Sequence, residues 1–156
     1  MTTTVCRQCN ADTVPLKLGR VEGEDSGIHI IIEGLPALDC SNGHKRFPVP
    51  DFPLEFIQRM LAEESLISAE PAVEKGLFRK RRLCPECGTE LAGDGDHSTH
   101  RAAISMPDAE PVSVELSLPV QRCGCGREVT LPKTEVERGV MQAAANAFRN
   151  AEIPPG

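Results

Sequence analysis

Alternation of apolar and polar residues predicts β-strands in two parts of the chain. It is clearest over residues 112–118, where every second residue is apolar, as in a strand with one buried face. Residues 16–21 alternate in the same way, and residues 28–32 and 102–106 are rich in apolar side chains. The polar run 23–27 contains two glycines and predicts a turn between the strands at 16–21 and 28–32.

Other segments place apolar residues at helical spacing. Asp51 can cap a helix that enters through Pro53, because a short acidic side chain there accepts bonds from free backbone amides. The apolar stripe of this helix comprises Leu54, Phe56, Ile57, Met60 and Leu61. A shorter helix is predicted over residues 71–81, where Val73, Leu77 and Phe78 are the apolar members and Gly76 is unfavourable.

The C-terminal segment predicts a third helix. Thr134 and Glu137 have the spacing of a capping box, and Pro154 and Pro155 end the segment. Its apolar stripe comprises Val136, Val140, Met141, Ala144 and Phe148. We expect these helices to pack on the strands, and a partner-binding groove or a dimer seam is the alternative role.

The seven cysteines fall into two sets with similar spacing. They are Cys6, Cys9 and Cys40 in the first set and Cys84, Cys87, Cys123 and Cys125 in the second. Each set opens with Cys-x-x-Cys, offset by 78 residues, and each has a Leu-Pro dipeptide before the next cysteine, offset by 83 residues. We interpret the sets as two homologous zinc-ribbon modules. The second is longer by five residues, and we place this extra length around the turn-like segment 93–96.

The residue types are those of structural zinc sites. Zinc prefers thiolate and imidazole ligands in a tetrahedron, and Cys-x-x-Cys presents two sulfurs from one tight turn. The second set supplies four cysteines, whereas the first supplies three and has Asn42 where the second has Cys125. His44 completes the first site in one interpretation, the first module is metal-free in another, and His29 or an acid is the ligand in a third. His97 and His100 are predicted to lie in a surface loop.

Composition supports a metal-stabilised protein. Of 156 residues, 40% are hydrophobic but only 3% are aromatic, so bound metal would compensate for a lean core. No apolar run approaches the ~18 residues that a membrane span needs, so no membrane association is expected. The polar start of the chain lacks an apolar signal region, which favours the cytoplasm and its reduced thiols.

The net charge of −6 disfavours a general nucleic-acid-coating role. Residues 1–70 carry −5 and residues 71–156 carry −1. One basic run precedes the second cysteine pair and comprises Arg79, Lys80, Arg81 and Arg82. It is either a solvated linker or a contact for nucleic acid, the ribosome or an acidic protein.

The first module resembles the YgiT-type zinc finger, the zinc-binding half of MqsA-type antitoxins. The resemblance covers residues 5–50 and depends on Cys6-Arg-Gln-Cys9, the segment 30–37 and Cys40 with its following turn. The second module is a looser copy, and Gly43 stands where the family has its fourth cysteine. The resemblance implies a structural zinc and a finger that supports binding to a partner protein. The family's helix-turn-helix half has no counterpart here, so repressor activity does not carry over.

Together these features predict a small α+β protein with two zinc ions. Its parts are a first zinc-ribbon module at 1–50, a helical linker at 51–82, a second module at 83–133, and a C-terminal helix and tail at 134–156. Because no general base lies near the ligands, the expected function is a non-enzymatic protein-interaction or regulatory module. The alternative is a nucleic-acid-, ribosome- or transcription-associated ribbon that uses the basic run with Lys45, Arg46 and Arg122, and a third possibility is an enzyme with an open zinc site in the first module.

Overall fold

The computed structural model describes residues 5–78, 80–91, 95–107 and 109–154, which form a small α+β fold of mostly strands with two helices. The elements are β1 (Thr13–Lys17), β2 (Val21–Asp25), β3 (Ile28–Glu33), β4 (Pro36–Cys40), β5 (Lys45–Arg46), α1 (Phe52–Leu61), β6 (Glu70–Lys75), β7 (Arg81–Leu83), β8 (Asp96–Ile104), β9 (Val112–Arg122), β10 (Glu128–Pro132) and α2 (Lys133–Asn150). Both sheets are open: one has the order β1-β4-β5, and the other has the order β2-β3-β9-β10-β6-β7, with β8 also paired to β9. No helix among the described residues is long and apolar enough to cross a membrane.

Strands β1 to β4 form one long hairpin with an interruption. The β1–β4 and β2–β3 pairs keep a single register, and Leu18 and Leu35 join them through a 2.9 Å backbone hydrogen bond. The predicted strand 16–21 is therefore divided between β1 and β2. The predicted turn at 23–27 is wrong in extent, because Gly23 lies within β2 and only Ser26 and Gly27 connect it to β3.

Strands β8 and β9 form the second long hairpin. They pair from Asp96↔Val120 to Ile104↔Val112, which leaves the seven-residue connection 105–111 where the first hairpin has two residues. The position predicted for the five extra residues of the second cysteine set, 93–96, stays a prediction, because Gly93 and Asp94 lie outside the described residues; Asp96 begins β8.

The larger sheet continues across the predicted boundary between the modules. Strand β3 pairs antiparallel with β9, from His29↔Ser117 to Glu33↔Ser113. Ile30, Ile31 and Ile32 are all buried, although successive strand residues point to opposite faces of the sheet. The run of isoleucines in β3 therefore reflects burial on both faces.

Helix α2 packs against β2 and β3. Small residues at this contact allow the backbones of the helix and of β2 to approach closely. A Cβ atom on Gly23 would lie 2.1 Å from the backbone oxygen of Ala143 and 2.5 Å from the backbone nitrogen of Ala147, so only glycine fits. Asn146 and Asn150 fix the contact by donating to the backbone oxygens of Glu24 and Glu22, at 2.8 and 2.9 Å.

The predicted C-terminal helix is confirmed, but its capping box is wrong. The helix begins at Lys133 with Pro132 at the N-cap and no side-chain capping bond, so Thr134 is already helical. The preceding strand β10 runs directly into the helix and fixes its start. Met141 is 46% exposed and therefore does not belong to the buried stripe.

Helix α1 is also confirmed. Asp51 occupies the N-cap position without a side-chain capping bond, and Leu54 is 55% exposed and not part of the buried stripe. Four of the five phenylalanines form one cluster where α1 meets α2 and the first module; they are Phe47, Phe52, Phe56 and Phe148, with ring centroids 5.0 to 6.4 Å apart. The small aromatic content is thus concentrated in the main core.

The predicted helix at 71–81 is wrong. Strands β6 and β7 form an antiparallel hairpin with Val73↔Leu83 and Lys75↔Arg81 pairs, and β6 also pairs in parallel with β10. Gly76 has φ 123°, a conformation that favours glycine and turns the chain. The apolar residues of this segment have helical spacing in the sequence, but they do not form a buried stripe. Leu77 and Phe78 lie exposed at the tip of the hairpin.

Candidate metal centres

The two Cys-x-x-Cys segments form turns with the same backbone hydrogen bonds. In the first turn the amide of Cys6 donates to Ala11, at 2.8 Å, and the amide of Asn10 donates to Cys6, at 2.9 Å. In the second turn Cys84 donates to Thr89 and Gly88 donates to Cys84, both at 2.9 Å. Corresponding residues differ by 78 in number, as the cysteines do.

The segments that carry the remaining ligands also share one backbone pattern. The amide of Cys40 donates to the backbone oxygen of His44 at 3.1 Å, and the amide of Cys123 donates to that of Arg127 at 2.9 Å. Gly43 and Gly126 close these turns with φ of 80° and 93°, which side-chain-bearing residues rarely adopt. His44 therefore corresponds in position to Arg127, and Asn42 corresponds to Cys125.

The first cluster consists of Cys6, Cys9, Cys40 and His44, whose ligand atoms all lie within 4.8 Å of one another. Cys6 Sγ is 3.5 Å from His44 Nδ1, and Cys9 Sγ is 3.7 Å from Cys40 Sγ. A tetrahedral ion with metal–sulfur bonds of about 2.3 Å has ligand–ligand edges of about 3.8 Å. The geometry therefore fits a four-coordinate metal ion with His44 as one ligand.

The second cluster consists of Cys84, Cys87, Cys123 and Cys125, again within 4.8 Å. Sulfur–sulfur distances are 3.8 Å for Cys84–Cys125 and 3.3 Å for Cys87–Cys123. Cys84 and Cys123 are buried, whereas Cys87 and Cys125 are exposed. This cluster, too, can hold a metal ion, but two of its sulfurs face solvent.

All seven cysteines are free thiols. Even the 3.3 Å separation of Cys87 and Cys123 is well beyond the ~2.05 Å length of a disulfide bond. Every cysteine of the chain thus belongs to one of the two clusters and is available as a ligand.

Each cluster contains a cysteine whose pKa lies well below the usual value for a thiol. Hydrogen bonding from the Asn42 side chain, with help from the backbone of Ala11, lowers the pKa of Cys9 to about 6. The Thr89 hydroxyl, 3.2 Å from Cys87 Sγ, and the backbone of Thr89 lower the pKa of Cys87 to about 6. Because metals bind thiolates, these cysteines are prepared to bind.

The nearest cysteine across each cluster, Cys40 for Cys9 and Cys123 for Cys87, has a raised pKa instead. Burial raises the pKa of Cys40. A backbone hydrogen bond from Cys125 lowers the pKa of Cys123, but the neighbouring Cys87 thiol and burial outweigh it and raise that pKa to about 12. Each cluster therefore places a cysteine with a lowered pKa beside one with a raised pKa, and a bound cation would favour loss of the proton from the second.

The fourth ligand comes from different positions of the same turn. In the second cluster it is Cys125, two residues after Cys123; in the first it is His44, four residues after Cys40. Asn42 occupies the place of the missing cysteine and hydrogen-bonds to Cys9. The backbone amide of His44 also donates to Cys40 Sγ at 3.4 Å, so His44 contacts the cluster through both its ring and its backbone.

The two clusters have different surroundings. The first lies beside Phe47 of the main core and borders a cavity of about 380 Å³ whose basic lining residues are Arg7, Lys45 and Arg46. The second belongs to a separate small core of Ala72, Cys84, Cys123 and Val129, with Leu91 packed against it. Arg127 links this second site to β6 through an ion pair with Glu70.

The other histidines lie apart from both clusters. His29 is on β3, where its ring is 4.0 Å from a carboxylate oxygen of Glu22. His97 and His100 lie on β8, so their predicted position in a loop is wrong; His100 Nε2 is 2.8 Å from the Ser98 hydroxyl. None of the three contributes to the groups of ligand atoms found among the described residues.

The basic run belongs to β7 and the connection before it. Arg79 lies outside the described residues. Lys80 pairs with Glu74 at 3.4 Å, and Arg82 pairs with Glu135 of α2 at 2.9 Å. Arg81 and Arg122 are exposed.

Sequence reasoning missed Asn42 and Thr89 as residues that tune the clusters. Each is a short hydrogen-bonding side chain two residues after a cysteine of a ligand turn. That position is a usable signal, because a side chain there can reach a sulfur of the same cluster: Thr89 reaches the preceding Cys87, and Asn42 reaches Cys9 across the first cluster.

The chain thus contains two four-residue clusters that can each hold a metal ion. Comparison with protein-family models, with curated proteins and with solved structures finds no match to this chain.

Proposed function

We propose that this protein binds two structural zinc ions and acts, without catalysis, as a protein-interaction or regulatory module. The observation that carries the proposal is that each cluster already supplies four ligands. Structural zinc sites are closed by four protein ligands, whereas catalytic sites keep one position for water or substrate. The same reasoning disfavours an enzyme with an open zinc site in the first module.

Zinc is the ion that this donor set favours. Four thiolates, or three thiolates and an imidazole, in a tetrahedral arrangement suit zinc better than magnesium or calcium, which prefer oxygen ligands. The seven free cysteines also support a reducing compartment such as the cytoplasm.

The corresponding hydrogen bonds of the ligand turns, and the single long hairpin that follows each Cys-x-x-Cys, support descent of the two halves from one duplicated zinc ribbon. The resemblance of residues 5–50 to the YgiT-type zinc finger points in the same direction and brings with it the expectation of a partner protein.

The surface best suited to such a partner lies beside the smaller sheet. Val14 and Leu16 of β1 and the nearby Val49 are 60%, 36% and 53% exposed. Leu16 and Val49, with Pro36, Phe52 and Met106, line a groove of about 640 Å³. A groove of this kind fits an apolar segment of another protein.

Metal analysis tests the first part of the proposal. Native mass spectrometry of the purified protein is expected to show two zinc ions, and chelation is expected to remove both and disrupt the fold. Absence of zinc, together with a fold that chelation leaves intact, would exclude the proposal.

Affinity capture from the native cell tests the second part. We expect specific proteins to be retained by the wild type and lost with the double substitution Leu16→Ser and Val49→Ser, since both residues are exposed and line the groove. Leu54→Ser is the matched control, because Leu54 is also exposed but lies outside the groove. Equal recovery with both variants would locate the interaction elsewhere.

A further inference from the structure

The tip of the β6–β7 hairpin exposes two large apolar side chains. Leu77 is 94% exposed and Phe78 is fully exposed, at 103%. They are adjacent in sequence and follow the turn residue Gly76. Single exposed apolar residues are common, but two adjacent side chains without any cover are typical of a contact site.

The same tip concentrates positive charge. Lys75 and Arg81 are direct cross-strand partners, and like charges in that position destabilise a hairpin. Neither forms an ion pair with any residue of the described segments 5–78, 80–91, 95–107 and 109–154. Lys80, whose side chain is 74% exposed, adds a third cation and, within the described part of the chain, pairs only with Glu74, at 3.4 Å.

The contrast with the rest of the molecule is large. Residues 70–83 contain five basic and two acidic residues, a net charge of +3, whereas the remaining twelve basic and twenty-one acidic residues give −9. A ligand that is both anionic and able to cover an apolar side chain would relieve the charge repulsion and the exposure together.

We propose that this hairpin tip binds single-stranded nucleic acid, with Phe78 stacked on a base and with Lys75, Lys80 and Arg81 near the phosphates. An aromatic face flanked by cations is the arrangement with which proteins bind single strands. A strand can contact the tip alone, whereas a flat anionic membrane would also face the acidic remainder of the molecule. The inference goes beyond the proposed protein-interaction role and does not depend on it.

The structure holds the tip on a firm base. Cys84, a ligand of the second cluster, directly follows β7, and Arg82 joins the hairpin to α2 through Glu135. Strand β6 is paired to β10 on its other edge. A metal ion at the second cluster would therefore help to hold the base of this hairpin in place.

The chain offers a direct optical test, because it contains no tryptophan and no tyrosine. The variant Phe78→Trp places a single indole at the tip, where substitution disturbs no buried contact. Short oligo(dT) and oligo(U) are titrated separately, and stacking is expected to quench the fluorescence. The two titrations also show whether DNA or RNA is preferred.

Variants of the full-length protein then test the contacts. Phe78→Ala is expected to weaken binding of the better oligonucleotide by about tenfold, the loss typical of one stacked base. Leu54→Ala is the control and is expected to leave binding unchanged, because Leu54 is an exposed apolar residue outside the hairpin. Three phosphate contacts predict a slope of about −2 for log K against log salt. Arg81→Gln is expected to reduce the size of that slope by about 0.7, with Arg138→Gln in α2 as the matched charge control. Zinc content and circular dichroism of each variant show that the fold is retained.

Anionic vesicles of phosphatidylserine and phosphatidylcholine provide the competing outcome. A blue shift of the Phe78→Trp emission with vesicles, without quenching by either oligonucleotide, would overturn the proposal in favour of a membrane surface. No response to vesicles or oligonucleotides would overturn it as well. Quenching that persists unchanged in a Lys75→Gln and Arg81→Gln double variant would show that the cations play no part and would also contradict it.

Discussion

The two candidate metal clusters have nearly the same backbone but different residues as fourth ligand and different surroundings. In the first cluster the fourth ligand is the imidazole of His44. Cys9 and His44 are half-buried, and Phe47 of the main core lies beside the cluster. In the second it is a thiol, two of the four sulfurs are exposed, and the supporting core has only four buried residues.

The comparison separates what a ligand turn must conserve from what it can vary. Both turns keep the same hydrogen bonds and a glycine with positive φ at the same place. The fourth ligand, by contrast, comes two residues after the cysteine in one turn and four residues after it in the other. The backbone, rather than any one side-chain position, therefore defines the site.

The largest expected effect is loss of the second metal ion. Cys123→Ser should reduce the zinc content from two ions to one and expose the amides of 70–91 and 121–132, because structural zinc contributes on the order of 10 kcal/mol in small zinc domains and little other core is present there. Cys40→Ser should also remove one ion, but fewer amides should lose protection from exchange, because the main core stabilises the segments around the first cluster. Hydrogen exchange with mass spectrometry measures both, and equal protection in the two variants would contradict the comparison.

His44→Ala should affect the first site alone. Loss of a ligand is expected to weaken that site by more than the ~100-fold that loss of an outer hydrogen bond costs, so only one zinc ion should remain after mild chelation. His29→Ala is the control, because His29 lies outside the cluster. Retention of two tightly bound ions by His44→Ala would show that another residue completes the site.

Moving the ligand tests whether the backbone defines the site. In the double variant Asn42→Cys and His44→Ala, the new thiol stands where Cys125 stands in the second turn, so zinc binding at the first site should recover most of what His44→Ala loses. Asn42→Ser with His44→Ala controls for the loss of the amide. Competition with a chromogenic chelator gives the affinities. If the double variant bound no better than its control, the two turns would not be equivalent.

Gly23→Ala tests the contact that joins the first hairpin to α2. The added methyl would collide with the backbone of Ala143, and such overpacking costs about 2 kcal/mol. Gly19→Ala is the matched control, since nothing lies within 4 Å of a Cβ there. Denaturant unfolding of the zinc-loaded protein measures the difference, and equal stability of the two variants would mean that helix and hairpin separate easily.

The smallest expected difference is kinetic. Hydrogen peroxide should release zinc from the second site several-fold faster than from the first, because Cys87 and Cys125 are exposed whereas Cys6 and Cys40 are buried. Zinc release over time, with peptide mapping of the oxidised cysteines, shows which site reacts first. Oxidation of Cys6 or Cys40 before Cys87 and Cys125 would contradict this expectation.

The candidate sites were predictable because their information is local. Cys-x-x-Cys spacing specifies a turn, and His44 lies close enough to Cys40 to reach the same ion. Helices α1 and α2 and strand β9 were also predictable, since each buries one face and its apolar spacing records that burial.

The hairpin at 70–83 was not predictable in the same way, because its apolar residues do not form a buried face and their spacing therefore records no burial. Leu77 and Phe78 were interpreted as members of a buried stripe, yet they are exposed. Pairing of β3 with β9 joins residues that are 80 to 88 positions apart in the sequence, which no local pattern specifies. The uninterrupted isoleucines of β3 were the one sign that this strand lies inside a larger sheet.

The pairing of β3 with β9 and the packing of α2 on β2 also have a consequence for synthesis on the ribosome. At translation rates of about 5–20 residues per second, the roughly one hundred residues between β3 and the end of α2 take about 5–20 seconds to appear. During that interval the isoleucines of β3 have no cover, but the ligand turns on either side of the first hairpin are complete. Early capture of a metal ion at the first cluster would hold that hairpin in register until its late partners arrive.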